Sequence, residues 1–265
     1  MIHCSGCAVK CTFAPMNRET QNCEWFESWF DSPYYPILYS NRSEEEAKNA
    51  VIAMSRELKL PDNSKVLDLA CGRGRHAVVL ASQGYDVTGV DLSAHSIADA
   101  SANAGERLRF FVHDMRRPVS INYFDAVFNF FTSFGYFESS RDNIRTLNAV
   151  AACLRKNGSF VLDYFNSESV RKAVASDPEG SKHIDGIHFH WKKKIEGEFC
   201  IKLIEVNDQG RIFHFQERVQ LFTDTQMREM LEKQLLVKKV FGDYSLNEFN
   251  SEKSDRMIFY CSKRA

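Results

Sequence analysis

Val66-Leu67-Asp68-Leu69-Ala70-Cys71-Gly72-Arg73-Gly74-Arg75-His76 reads as an apolar strand that runs straight into a glycine-bearing turn, with a helix starting at once. Glycines belong where backbone bends sharply or passes close to a ligand, because a residue without Cβ tolerates positive φ and leaves room. The helix N-terminus behind such a turn presents free N–H groups and the positive end of its dipole, a seat for a carboxylate or a phosphate. Two ligand classes use a turn of this kind. Gly72-x-Gly74-x-x-Ala77 satisfies the dinucleotide pattern in form, and Asp91, about 20 residues on, suits a ribose diol. Asp68 decides between the two. A carboxylate at the end of the strand repels a pyrophosphate, whereas it attracts the ammonium of an amino-acid moiety.

Downstream of the turn, strands and helices alternate. Residues 85–91, 108–113, 124–131 and 159–165 read as strands, and 73–82, 93–103 and 141–155 as helices, the second capped by Ser93. That rhythm predicts a parallel sheet covered on both faces. It breaks after residue 165. Residues 186–195, 198–207 and 210–220 alternate apolar and polar positions around Glu196-Gly197 and Asp208-Gln209-Gly210, which predicts an antiparallel meander with short turns. A helix at 225–233 and strands at 236–242 and 256–262 close the pattern. Upstream, Trp25, Phe26, Trp29 and Phe30 have helical spacing that stops at Ser32-Pro33. Ser43-Glu44-Glu45-Glu46 reads as a capping box that opens a helix running to about Leu58.

Taken in order, these segments resemble the class I S-adenosylmethionine-dependent methyltransferases of the small-molecule type. Their first motif, Asp/Glu-x-Gly-x-Gly-x-Gly, meets Asp68, Gly72 and Gly74, with Ala70 in place of its first glycine and His76 already inside the helix. The stretch from Val87 to Ser93 is similar to their second strand. The resemblance implies that Asp91 binds the ribose hydroxyls, with Leu92 beside it. His113-Asp114-Met115 is similar to the end of their third strand, which implies that Asp114 meets the adenine amino group and Met115 covers the ring. Phe124-Asp125-Ala126-Val127 then begins the fourth strand, and Asn129 follows on the methyl-transfer side. The implied fold is α/β: a Rossmann-like, seven-stranded, mostly parallel sheet with a reversed C-terminal hairpin. An antiparallel meander is inserted, and a helical lid precedes the sheet. The implied segments are a tail (1–20), the lid (21–60), the cofactor-binding core (61–165), the insertion (166–222) and the completion of the sheet (223–265).

The acceptor side departs from the Asn/Asp-Pro-Pro-Tyr/Phe signature of amino-methyltransferases of DNA. Asn129-Phe130-Phe131-Thr132-Ser133-Phe134-Gly135-Tyr136 instead resembles the small-molecule N-methyltransferases, sugar-amine dimethyltransferases among them. Phe131, Ser133 and Tyr136 are therefore expected at the substrate, with Tyr34 and Tyr35 of the lid. The resemblance also places Tyr39 against the sulfonium, since aromatic faces attract cations, and Arg42 at the cofactor carboxylate. The alternative reading makes these tyrosines packing residues of a helical cap. An amine acceptor need only be neutral and aimed, whereas a hydroxyl needs a base, and no catalytic residue is named. The expected reaction is transfer of a methyl group from S-adenosyl-L-methionine to nitrogen or oxygen of a small molecule. The alternatives are an NAD-dependent oxidoreductase and a non-catalytic protein that binds S-adenosylmethionine.

Composition sets the outer bounds. The chain has 265 residues, with 34 Lys and Arg against 35 Asp and Glu, for a net charge of -1. That balance supplies no field to draw a nucleic acid or an anionic membrane. No apolar run approaches the roughly 18 residues of a membrane span, and the expectation is a cytoplasmic monomer or homodimer. Cys4, Cys7, Cys11 and Cys23 crowd the N-terminus. They are read as part of a loose tail without a functional metal, the alternatives being a four-thiolate zinc site and a redox role.

Overall fold

The computed structural model describes residues 24–40 and 44–264. Arg42, the cap residue Ser43, and Cys4, Cys7, Cys11 and Cys23 lie outside the described residues. Three helices come first: α1 (Trp25–Phe30), α2 (Tyr34–Leu38) and α3 (Glu44–Leu58). The alternating part follows as β1 (Lys65–Leu69), α4 (Arg75–Ser82), β2 (Asp86–Asp91), α5 (Ala94–Ala100), β3 (Leu108–Val112), β4 (Phe124–Asn129), α6 (Ser140–Cys153) and β5 (Leu154–Phe165). After α7 (Ser167–Ser176) come β6 (Glu179–Ile184), β7 (Ile187–Glu196), β8 (Phe199–Asp208) and β9 (Arg211–Gln220). The chain closes with α8 (Asp224–Leu231), β10 (Leu235–Phe241) and β11 (Arg256–Lys263).

Seven strands form one sheet in the order β10-β11-β5-β4-β1-β2-β3. β1 runs parallel to β2 and β4, and β11 runs antiparallel to both β5 and β10. The chain order turns back between β1 and β4, so a crevice opens at the carboxyl ends of β1 and β4, where open α/β sheets bind ligands. β1 and β4 are buried on both faces, which is why they read as continuous apolar runs. Their side chains alternate. Leu67, Leu69 and Val127 join the core beneath α6 and α8, whereas Val66, Ala126 and Phe128 join the one beneath α3, α4 and α5.

The second sheet has four strands in the order β6-β7-β8-β9, all antiparallel. One of its faces packs on the N-terminal helices: Trp29, Tyr34 and Leu38 share a core with Phe189, Ile204 and Val206. Two local expectations change. The helix expected to reach residue 155 ends at Cys153, because Leu154 is fully buried and already pairs with Phe124 at the head of β5. α7 and β6 stand where no element is expected from the sequence: α7 has only the short apolar set Val170, Ala173 and Val174, and β6 buries no residue. α7 buries only Ser167 and Val174, and it starts on the Asn166 side chain, which accepts the Glu168 N–H.

Candidate functional site

The turn after β1 is built from left-handed residues. Ala70 (φ 60°), Gly72 (φ 54°) and Gly74 (φ 81°) reverse the chain and feed it into α4. The two glycines serve different purposes. A Cβ on Gly74 would sit 2.7 Å from two carbons of the Phe110 ring, so this glycine lets α4 approach β3. A Cβ on Gly72 meets nothing within 4 Å, because this residue faces a cavity.

That cavity has a volume of about 110 Å³. Its floor is Ala70, Gly72 and Asp91. Asp91 ends β2 and is fixed by the turn itself: Gly72 N–H donates to its Oδ2 at 2.8 Å, and Ser93 N–H to its Oδ1 at 2.9 Å. Burial pushes its carboxyl above the ordinary value; those N–H groups work against this, and the Asp31 charge adds to it. Asp31, at the end of α1, accepts from Ser93 Oγ at 2.7 Å, which ties the N-terminal helices to this corner. Leu92, Asp114 and Met115 line one end, with Leu92 an exposed apolar side chain suited to a flat ring. Ser133, Tyr136 and Tyr35 line the other part of the wall.

Sequence reasoning missed several lining residues. Phe26 and Phe30 roof the cavity from α1, yet in sequence they share one helical stripe with the packing residues Trp25 and Trp29. Ser96, His113 and Phe137 also line it. Arg116 is the main omission, two residues past the Asp114 that had been singled out. Its Nε donates to both oxygens of Asp114, at 2.9 and 3.0 Å, and its Nη atoms reach Glu24 and Asp142. Burial works to raise the Asp114 carboxyl, but the guanidinium wins and holds it below the usual carboxylate range.

Other expected site residues stand away from the cavity. Tyr34 OH bonds to Asp208 at 3.1 Å and its ring packs on Phe213, while Tyr39 OH bonds to Glu217 at 2.6 Å. Both tyrosines fasten α2 to the second sheet and do not line the wall. Phe131 points to the opposite side of its loop, against Tyr244 and His76 and under the Arg75 guanidinium. Asn129 is buried and acts on backbone: its Nδ2 donates to Leu69 O at 2.8 Å and bridges the ends of β4 and β1. Asp68 lies beneath the turn, 1 % exposed. Burial, followed by the charge of Asp91, pushes its carboxyl up to about 7.

These residues fit S-adenosylmethionine better than a dinucleotide. Asp68 Oδ2 and Asn129 Oδ1 are buried acceptors with no hydrogen-bond donor, and an ammonium group supplies donors where a pyrophosphate supplies none. The open face of Gly72 leaves a cradle that any side chain would fill. No group of three or more His, Cys, Asp or Glu side chains suited to a metal ion occurs among the described residues.

Comparison with known proteins agrees with this chemistry. The family model described as methyltransferase domain matches residues 40–234. The chain is 31% identical over 139 residues to the putative methyltransferase YqeM of Bacillus subtilis, covering 51% of this chain and 56% of that protein. It is 30% identical over 175 residues to the glycine/sarcosine N-methyltransferase of Parasynechococcus marenigrum, covering 63% and 60%. The match thus spans little more than half the length of these two relatives. In fold, the chain is similar to an S-adenosylmethionine-dependent methyltransferase from Clostridium acetobutylicum, with a TM-score of 0.74 at 18% identity over 88% of this chain and 96% of the other. It is also similar to the sugar N-methyltransferase KedS8 from Streptoalloteichus, with a TM-score of 0.67 at 18% identity over 98% and 100%. With its reversed hairpin, and with its glycine turn bonded to Asp91 at the cavity floor, the chain belongs to the methyltransferase domain family.

Proposed function

We propose that this protein methylates a nitrogen atom of a small-molecule amine. The observation that carries the reading is the make-up of the cavity wall around Ser133: it is aromatic, from Phe26, Phe30, Tyr35, Tyr136 and Phe137. Among the described lining residues the ionisable side chains other than tyrosine are Asp91, His113, Asp114 and Arg116. Asp91 is held by the turn, and Asp114 and Arg116 hold each other, with the Arg116 guanidinium also over the Phe137 ring; His113 Nε2 lies 2.9 Å from Arg117 O, which leaves Nδ1 as its basic nitrogen. Among the described lining residues both carboxylates are hydrogen-bonded, which favours an acceptor that needs no carboxylate base. Aromatic faces also stabilise positive charge, both on a sulfonium and on the ammonium that methylation of an amine creates.

S-adenosylmethionine, when bound, supplies a methyl group activated by its sulfonium. Asp91 would accept from its ribose diol, Leu92 and Met115 would cover its adenine, and Asp68 would neutralise its ammonium from below the turn. The aromatic roof excludes water and confines the acceptor, so orientation and desolvation provide the acceleration. The names of relatives point the same way, since glycine/sarcosine and sugar N-methyltransferases occur among them.

The test is a mass-spectrometric screen of a metabolite extract incubated with the protein and methyl-labelled cofactor. The expected product is a small molecule carrying the label on nitrogen. Label on oxygen, or label found only in bulk RNA or protein, would overturn the reading.

A further inference from the structure

The loop after β4 is bent by two consecutive left-handed residues, Phe131 (φ 55°) and Thr132 (φ 59°). Bulky and β-branched side chains avoid that region, so the bend persists only if its surroundings impose it. What imposes it converges on Asp163 of β5, which is fully buried and lies outside the cavity wall. Asp163 Oδ2 accepts from Phe131 N–H at 2.8 Å, and its backbone oxygen accepts from Thr132 N–H at 2.9 Å. The same carboxylate is held from behind by Tyr244 OH at 2.7 Å and by a short bond from Arg256 Nε. Arg256 Nη2 also reaches Thr132 Oγ1 at 3.3 Å, and Phe165 N–H donates to that oxygen at 3.1 Å. A charge this buried is tolerated only when paired and hydrogen-bonded, and here its bonds are spent on the loop.

The loop in turn carries the acceptor wall. Tyr136 OH donates to Thr132 O at 2.5 Å, and Ser133 Oγ to Phe130 O at 2.9 Å, so both lining side chains are referenced to the pinned bend. Trp25 of α1 donates to Tyr136 O at 3.2 Å and continues the wall into the roof. Gly72 and Asp91, the cofactor contacts, make no hydrogen bond to this network.

We propose that Asp163, braced by Tyr244 and Arg256, is the positioning residue for the methyl acceptor: it fixes the 131–136 loop so that Ser133 and Tyr136 face the cavity. The inference rests on the reading of those two residues as the acceptor side. Its signature is a split, with acceptor use impaired and cofactor binding preserved.

Three measurements on Tyr244→Phe and Asp163→Asn test it. Hydrogen exchange in the peptide covering 130–136 should quicken at least tenfold, while exchange at 66–74 stays as in the wild type. Calorimetric titration with S-adenosylhomocysteine should give a Kd within twofold of wild type. Initial rates with glycine, sarcosine and glucosamine as probe acceptors should fall at least tenfold through the acceptor KM and kcat. Thr132→Ser, which keeps the Oγ acceptor, should behave as wild type, and Thr132→Val should follow Tyr244→Phe. Unchanged exchange at 130–136 in both Asp163→Asn and Tyr244→Phe overturns the proposal, as does an equal loss of S-adenosylhomocysteine affinity. Failure of the wild type to methylate any amine overturns the proposed function instead, and the exchange and calorimetry results still decide the role of Asp163. Tyr244→Phe removes a single hydroxyl and keeps the ion pair, so the test survives if Asp163→Asn does not fold.

Discussion

Single residues divide into those that serve the ligand and those that serve the fold, and neighbours in one motif fall on opposite sides. Gly72→Val places a side chain in open cavity at a positive φ. It should cost about 1–2 kcal/mol in stability and abolish S-adenosylhomocysteine binding by calorimetry. Gly74→Ala drives a methyl group into Phe110, so it should lower the melting temperature while any folded fraction still binds; equal behaviour of the two variants would refute this division. Asp91→Ala should weaken binding by more than tenfold, since hydrogen bonds to a charged group contribute roughly 1.5–3 kcal/mol. Asp68 adds a pH dependence whose sign is fixed. Its carboxyl is raised from 3.8 to about 7, so between those values the folded protein holds a proton that the unfolded chain has lost. The contribution of Asp68 to stability is therefore unfavourable as pH rises from 4 to 7, approaching roughly 4 kcal/mol once the group is ionised. Asp68→Asn should flatten that decline in melts recorded from pH 5 to 8. A cationic ammonium nearby favours the ionised form, so S-adenosylhomocysteine should bind with proton release near pH 6.5, seen as a buffer-dependent heat that Asp68→Asn loses.

At the scale of elements, what was legible follows from periodicity, and what was not follows from its absence. β1, β4 and β5 announce themselves because both their faces are buried, and the turn at Ala70–Gly74 because its backbone needs left-handed residues. α7 and β6 were nearly silent: a helix that buries one serine and one valine, with Val170, Ala173 and Val174 as its whole apolar stripe, and a strand with no buried residue leave little pattern to read. The roof was hidden differently. Phe26 and Phe30 face the cavity while Trp29 faces the second sheet, and the same helical spacing serves both. The tyrosines of α2 were assigned to the ligand by resemblance, whereas the hydroxyls of Tyr34 and Tyr39 are taken by Asp208 and Glu217 of the meander. α1, α2 and the meander thus share one core, and Trp29 is its centre, fully buried with its Nε1 on Glu217 at 2.8 Å. Trp29→Ala should cost about 3–5 kcal/mol and release α1 and α2 from the meander, while the seven-stranded sheet keeps its far-ultraviolet signal. Limited proteolysis checks this: early cleavage near residues 30–40 is expected, and resistance equal to wild type would count against a shared core.

At the scale of the molecule, the cavity draws its walls from three regions of the chain. Phe26, Phe30 and Tyr35 come from the N-terminal helices, Ala70, Gly72 and Asp91 from the parallel sheet, and Ser133 and Tyr136 from the loop braced by Asp163. A ligand that touches all three binds the folded state alone, and so stabilises the whole chain by mass action. At a concentration 100 times its Kd, S-adenosylhomocysteine should add about 2.7 kcal/mol, which for a chain of this size is a rise of roughly 5–10 °C in melting temperature. NADH at the same concentration should add nothing, because Asp68 beneath the turn and the unpaired acceptor of Asn129 offer a pyrophosphate only repulsion. The shift should persist from 50 to 500 mM salt: the chain is nearly neutral, and a site built on apolar walls and backbone hydrogen bonds releases few counterions, unlike a phosphate-tracking surface. An equal shift with NADH, or one that vanishes with salt, would mean that charge governs ligand choice where the structure assigns it to shape and to two buried acceptors.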